Sequence, residues 1–224
     1  MIKFRNITKS FARDADSARV LSRVSGDIAR GDKVALSGIS GSGKTTLLNI
    51  LALMDHTYHG ELYFDGQLMS KDPNEAMHLR RYRMGFVSEC NQLFPLLSVL
   101  DNIGYSLSVT GYSKRQQRLF ANEMLERLNL SNIGNEKALN LSAELKFSVA
   151  IARAVVHRPA ILFCDEITTG LGDEEAYRLI ELIADLLDEY RITLISATSD
   201  PRLLNYCTHC YYLEKGEIKG EKCF

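Results

Sequence analysis

Gly38-Ile39-Ser40-Gly41-Ser42-Gly43-Lys44-Thr45 fills every fixed position of the pattern G-x-x-x-x-G-K-[ST]. The pattern works as a turn between a buried strand and a helix, and both flanks are present. Residues 33–37 (KVALS) are expected to form a short buried strand, and residues 45–54 (TTLLNILALM) an apolar helix. Glycines let such a loop curl until its backbone N–H groups face one point, where the helix N-terminus adds partial positive charge. A phosphate suits that point. Gly38, Ser40, Gly41, Ser42, Gly43 and Thr46 would line it, Lys44 would reach β- and γ-phosphates, and the Thr45 hydroxyl would hold Mg²⁺.

A second pattern lies about 120 residues downstream, where Ile161-Leu162-Phe163-Cys164 is followed by Asp165 and Glu166. A buried strand ending in acids places them at the carboxyl edge of an α/β sheet, where ligands bind. Asp165 is expected to hold Mg²⁺ through water, and Glu166 to act as general base on an attacking water.

Around these motifs the chain alternates. Strands are expected at residues 2–8 and 20–28, with a polar loop over 13–18 between them. Residues 60–68 should form a hairpin turning at Asp65-Gly66. A basic helix over 76–83 leads to a strand over 84–87. From 89 to 140 the pattern is helical, with Leu119, Met124, Leu125 and Leu128 on or near one face of a helix over 113–128. Ser142 starts another helix, stopped by Pro159. Then come a strand over 161–164, an amphipathic helix over 173–190, a strand over 193–196, a short helix from Pro201, and a strand over 210–213 before a Lys215-Gly216 turn. The sum is an α/β fold: a P-loop NTPase core with a mostly parallel sheet, an N-terminal antiparallel β subdomain and an inserted helical subdomain. The expected division is 1–88 with 158–224 as core and 89–157 as helical subdomain.

Composition narrows the function. The chain has 224 residues, 46% of them hydrophobic and 25% charged, with a net charge of −1. That suits one large domain with a sizeable core and gives no electrostatic reason to bind nucleic acid. No apolar run approaches the ~20 residues that span a bilayer, and MIKFRNITKSF has no signal-peptide core. A cytoplasmic protein is expected, and any membrane association must come through a partner. The five cysteines are scattered, as in a reducing compartment. Cys207-Thr208-His209-Cys210 has the spacing of half a zinc site but no second pair, and is read as buried core cysteines on a strand.

With these residues in place the chain resembles the ATP-binding subunit of an ABC transporter nearly end to end. The resemblance runs through Gly38 to Thr45, Gly85-Phe86-Val87, Leu141-Ser142, Val149 to Ala154, Asp165 to Leu171 and Thr198-Ser199-Asp200-Pro201. SGSGKTTLLNIL, GELYFDG and RRYRMGFV resemble the branch serving lipoprotein release, macrolide efflux and cell-division complexes. The resemblance implies Mg-ATP sandwiched in a homodimer or heterodimer of ATP-binding subunits, docked on a membrane-spanning subunit, peripheral on the inner face of the membrane, through residues 89–100 and the helical subdomain that follows. It also places Phe11 where an aromatic stacks on adenine; a core aromatic would look the same.

Four positions depart from the family pattern. Glu89 stands at a usual Gln, where it can still ligate Mg²⁺, and is expected near Glu166. Leu141-Ser142-Ala143-Glu144-Leu145 replaces LSGGQ; Ser142 still suits the ATP of the partner subunit. Gly172 replaces an aspartate, and Ser199 the histidine that contacts the γ-phosphate. Glu144 brings a like charge to a polyphosphate, worth about 3 kcal/mol at ~6 Å and an effective dielectric of ~20, unless its side chain points to solvent or meets a basic partner. Together the departures imply a subunit that binds Mg-ATP with impaired or absent hydrolysis. The alternatives are a fully active ATPase energising export or membrane extraction, and a cytoplasmic ATP sensor or scaffold.

Overall fold

The computed structural model describes residues 1–13, 16–90 and 92–223. In chain order the elements are β1 (Ile2–Arg13), β2 (Asp16–Ile28), β3 (Lys33–Ser37), α1 (Lys44–Leu51), β4 (His59–Phe64), β5 (Gln67–Leu68), α2 (Pro73–Arg83) and β6 (Met84–Val87). They continue with α3 (Val99–Val109), α4 (Lys114–Arg127), α5 (Ala143–Val155), β7 (Ile161–Asp165), α6 (Asp173–Tyr190), β8 (Thr193–Ala197), α7 (Pro201–Leu204), β9 (His209–Glu214) and β10 (Glu217–Cys223). These elements form two compact units, Met1–Arg80 with Thr193–Phe224, and Arg81–Ile192.

In the first unit an antiparallel sheet of order β2-β1-β4-β5 carries Ile2, Phe4 and Ile7 inward. Phe4 and Ile7 share a face three residues apart because the register shifts between them, at Asn6 with φ 53°. β1 and β2 pair as far as Arg13↔Asp16, so strand runs into the expected polar loop; Asp14 and Ala15 of that loop lie outside the described residues. Ladder hydrogen bonds sustain this ribbon without the apolar period by which a strand is recognised. The Asp65-Gly66 turn has φ of 50° and 82°, as a two-residue hairpin requires.

β3 runs parallel to β8 on one side and β9 on the other, with β10 antiparallel at the edge. Tyr211 of β9 meets Phe4 edge-on, and its hydroxyl donates to the Asp27 carbonyl at 2.8 Å. α1 ends at Leu51, three residues short of expectation, with Leu53 left-handed at φ 56°. The reason lies beside it. Buried Lys9 holds Asp55 at 2.7 Å and Thr57 by hydrogen bond, which draws the chain off the helix axis while Leu53 stays buried. Cys207 is buried in the turn before β9, not on a strand, and Cys210 is half-buried on β9. Burial pushes the Cys207 thiol up to about 12, which keeps it protonated, and no metal-ligating cluster occurs among the described residues.

In the second unit β6 and β7 pair in parallel, Met84↔Ile161 to Val87↔Cys164, with Phe86 and Phe163 stacked at 6.5 Å. α5 lies against β6 so closely that a Cβ on Gly85 would strike the Ala154 carbonyl oxygen. Gly85 therefore sets how near helix and strand approach. α3 and α4 begin at Ser98 and Ser113, whose hydroxyls accept from Asp101 and Gln116 N–H groups. Buried Asn102 accepts from Phe94 N–H at 2.8 Å and donates to the Phe94 and Ser98 carbonyls, pinning the loop before α3. On α4 the buried positions are Ala121, Met124 and Leu125, whereas Leu119 is 54% exposed. Two residues before Ala121, Leu119 sits about 200° round the helix from it, off the expected face. Antiparallel sheet, mostly parallel strands and inserted helices make up the P-loop NTPase fold.

Candidate functional site

The glycine-rich loop leaves the carboxyl end of β3 and enters α1 at Lys44. Gly38 has φ 145°, and a Cβ there would collide with the Leu213 carbonyl oxygen and the Ser42 hydroxyl. Gly43, the N-cap, has φ 105°, and a Cβ would lie 2.8 Å from Leu21 Cδ2. Glycine is required at both by space as well as by torsion. Lys44 is 7% exposed, and its Nζ donates to the Gly38 carbonyl at 2.9 Å, curling the ammonium over the loop. The Ser42 Oγ is buried with no hydrogen-bond partner. No side chain caps the N-terminus of α1, and its first turn holds no acid. A buried cation, an unsatisfied hydroxyl and an uncapped helix start fit a polyphosphate, which would satisfy all three. Ser40, Gly41 and Thr45 are exposed at the loop surface and Thr46 is half-buried.

Two other expected positions fall in the same unit. Phe11 is 46% exposed, which excludes the core-aromatic reading, and the Lys9 Nζ stands 4.8 Å from its ring centre. Ser199 is exposed two residues beyond β8, held to the edge where β3 ends because the Thr198 N–H donates to the Leu36 carbonyl at 3.0 Å. The structure thus brings Ser199 to the strand edge from which the phosphate loop departs.

The second unit holds the remaining positions. Asp165 closes the fully buried β7, and Glu166 follows at φ 48°, a left-handed conformation that costs a non-glycine residue about 1 kcal/mol or more. Glu89 is exposed two residues past β6, at the edge where β7 also ends. Ser142 caps α5 by accepting from Leu145 N–H at 3.3 Å. Glu144 does not stand as a bare charge. Arg178 of α6 grips it side-on, Nε to Oε1 at 2.7 Å and Nη2 to Oε2 at 3.0 Å. That hydrogen bond holds the Glu144 carboxyl below its ordinary value, against the smaller opposing effect of burial. At Gly172, the backbone N–H donates to Glu175 Oε2 at 3.0 Å.

Sequence reasoning missed Arg178 and Lys9. Arg178 lies 34 residues from Glu144 on another helix, and Lys9 lies 46 residues from Asp55, so no local period links either pair.

Comparison with known proteins agrees with this geometry. The ABC transporter family matches residues 21–169. The lipoprotein-releasing system ATP-binding protein LolD of Francisella tularensis subsp. holarctica (strain OSU18) is 31% identical over 221 residues, covering 98% of this chain and 96% of that protein. The uncharacterized ABC transporter ATP-binding protein MJ0796 of Methanocaldococcus jannaschii is 32% identical, covering 99% and 97%. The dimeric structure of the MJ0796 cassette in a post-hydrolysis state, bound to ADP and Pi, superposes with a TM-score of 0.91 at 31% identity, covering all of this chain and 98% of that one. The chain belongs to the ATP-binding subunits of the ABC transporter family.

Proposed function

We propose that this chain binds Mg-ATP and hydrolyses it as the ATP-binding subunit of a membrane transport complex. The observation that carries the reading is the Glu144–Arg178 pair. The carboxylate that the altered signature would bring against a polyphosphate is already neutralised within its own unit. One solved relative at 31% identity is a dimer bound to ADP and Pi in a post-hydrolysis state, which supports turnover across a pair of subunits. Mg-ATP, when bound, supplies an electrophilic γ-phosphoryl group. Lys44 places its charge at the β- and γ-phosphates, with Gly38, Ser40, Gly41, Ser42, Gly43 and Thr46 around them. Thr45, Asp165 and Glu89 would hold Mg²⁺, as the family resemblance implies. The Glu166 carboxylate takes the proton of the attacking water. Phe11 offers its exposed face to adenine, and Ser142 reaches the ATP of a second subunit, of this chain or another.

Residues 89–157 supply the inserted helical part and the docking face for a membrane-spanning subunit. Supporting this, Leu96 is 71% exposed, and a groove of about 740 Å³ runs along Leu97, Tyr105 and Arg118. No helix among the described residues is long and apolar enough to cross a membrane. Attachment to the inner face from the cytoplasm would therefore come from the partner.

Ser199 favours a second reading, in which turnover is weak or lost. A hydroxyl there neither reaches as far as an imidazole nor carries charge, and losing one positioned donor costs ~10²–10³ in rate. ATP turnover by the purified chain, compared with nucleotide binding, separates the two. Turnover near ~1 s⁻¹ that disappears in Glu166→Gln supports the first reading. Binding with no Glu166-dependent turnover, alone or with the membrane partner, refutes it.

A further inference from the structure

We infer that Arg178 is a positioning residue that keeps the N-terminus of α5 usable for a polyphosphate by drawing the Glu144 carboxylate away onto α6. The inference rests on the proposed pairing of this chain with a second copy across Mg-ATP.

Glu144 is the second residue of α5, in its first turn and two residues past the Ser142 cap. A carboxylate there is attracted by the positive end of its own helix and can fold back onto the first-turn N–H groups. It would then act as an internal anion in the place an incoming phosphate needs. The side-on fork removes both of its oxygens from that role, at 2.7 and 3.0 Å, while the Ser142 hydroxyl keeps its own bond to Leu145 N–H. Glu174, one turn back on α6, lies 3.8 Å from Arg178 Nη1 and steadies the guanidinium from the far side. The helix start is thus left with a neutral pair in place of a carboxylate. An LSGGQ-like sequence needs no such residue, because it brings no charge to neutralise.

The test uses the full chain carrying Glu166→Gln, so that turnover does not obscure association, with Mg-ATP as the probe and ADP as control. Sedimentation gives the dimer dissociation constant. Arg178→Met should raise that constant at least ~tenfold, the size expected of one exposed like charge beside a polyphosphate. ATP affinity of the monomer should stay unchanged, and the thermal midpoint should fall only by the small amount that loss of one surface ion pair brings. Adding Glu144→Gln to Arg178→Met should restore association to the parent level, which a merely structural role for Arg178 would not produce. Parent-like association of Arg178→Met, or failure of the double variant to recover, overturns the inference while leaving the proposed function standing. Failure of the parent itself to associate with Mg-ATP overturns the self-pairing reading and the inference together.

Discussion

Replacing Ser199 with histidine tests which departure from the family pattern limits turnover. Thr198 N–H is bonded to the Leu36 carbonyl at 3.0 Å, and β8 is in register with β3 from Lys33↔Leu194 to Leu36↔Ala197. The backbone at 199 is thus fixed against the strand that feeds the phosphate loop. The side chain is exposed, so an imidazole enters without displacing core atoms. One positioned donor to developing charge is worth ~10²–10³ in rate, about 2.7–4 kcal/mol. Ser199→His alone is therefore expected to raise kcat at least ~tenfold, allowing for imperfect placement, with ATP affinity changed far less. Adding Glu144→Gly should alter kcat by no more than about fivefold, since Arg178 already takes up that charge in an exposed pair. Steady-state phosphate release by the single and double variants provides the measurement. An unchanged kcat in Ser199→His, or a gain that appears only with Glu144→Gly, refutes the reasoning.

Three further outcomes are expected. Lys44→Ala removes the cation over the loop and should weaken Mg-ATP binding about 10- to 100-fold, read by nucleotide titration; undiminished affinity would show that the loop does not hold the phosphates. Gly85→Ala forces a methyl into the Ala154 carbonyl and should cost about 1–3 kcal/mol, seen as a lower thermal midpoint; an unshifted midpoint would mean that α5 backs away freely. The Arg178 hydrogen bond depresses the Glu144 carboxyl below its ordinary 4.5, so the pair stabilises the fold above that pH, and the contribution is lost as pH falls through the depressed value. Thermal midpoints followed from neutral pH into acid should decline less steeply in Glu144→Gln, and parallel curves would refute the linkage.

Elements whose conformation is set by near neighbours were legible in the sequence. The phosphate loop, the β6 and α6 boundaries and the Asp65-Gly66 turn are each written in a few adjacent positions. Legibility failed where a distant partner decides. The end of α1 depends on Lys9 reaching Asp55, and the electrostatics of the α5 start depend on Arg178. The ribbon extending β1 and β2 escaped detection because its ladder needs no apolar alternation. Leu119 was assigned to the wrong face because its apolar side chain alone drew it there.

The four departures differ in whether the fold answers them. Glu144 is answered by a guanidinium in bidentate contact. Gly172 loses a side-chain carboxylate, but Glu175 takes the backbone N–H that an N-cap would leave open, and Asp173 and Glu174 keep the first turn of α6 acidic. Both of these answers act on association and helix starts, the steps before chemistry. Ser199 and Glu89 stand instead where charge moves in the reaction, and both side chains are exposed at strand edges. A chain so arranged should hold nucleotide and pair across it nearly as well as an LSGGQ relative, with its deficit concentrated in kcat. The decisive comparison is thus between dimerisation and turnover in one preparation. Equal loss in both would mean that the Arg178 compensation fails.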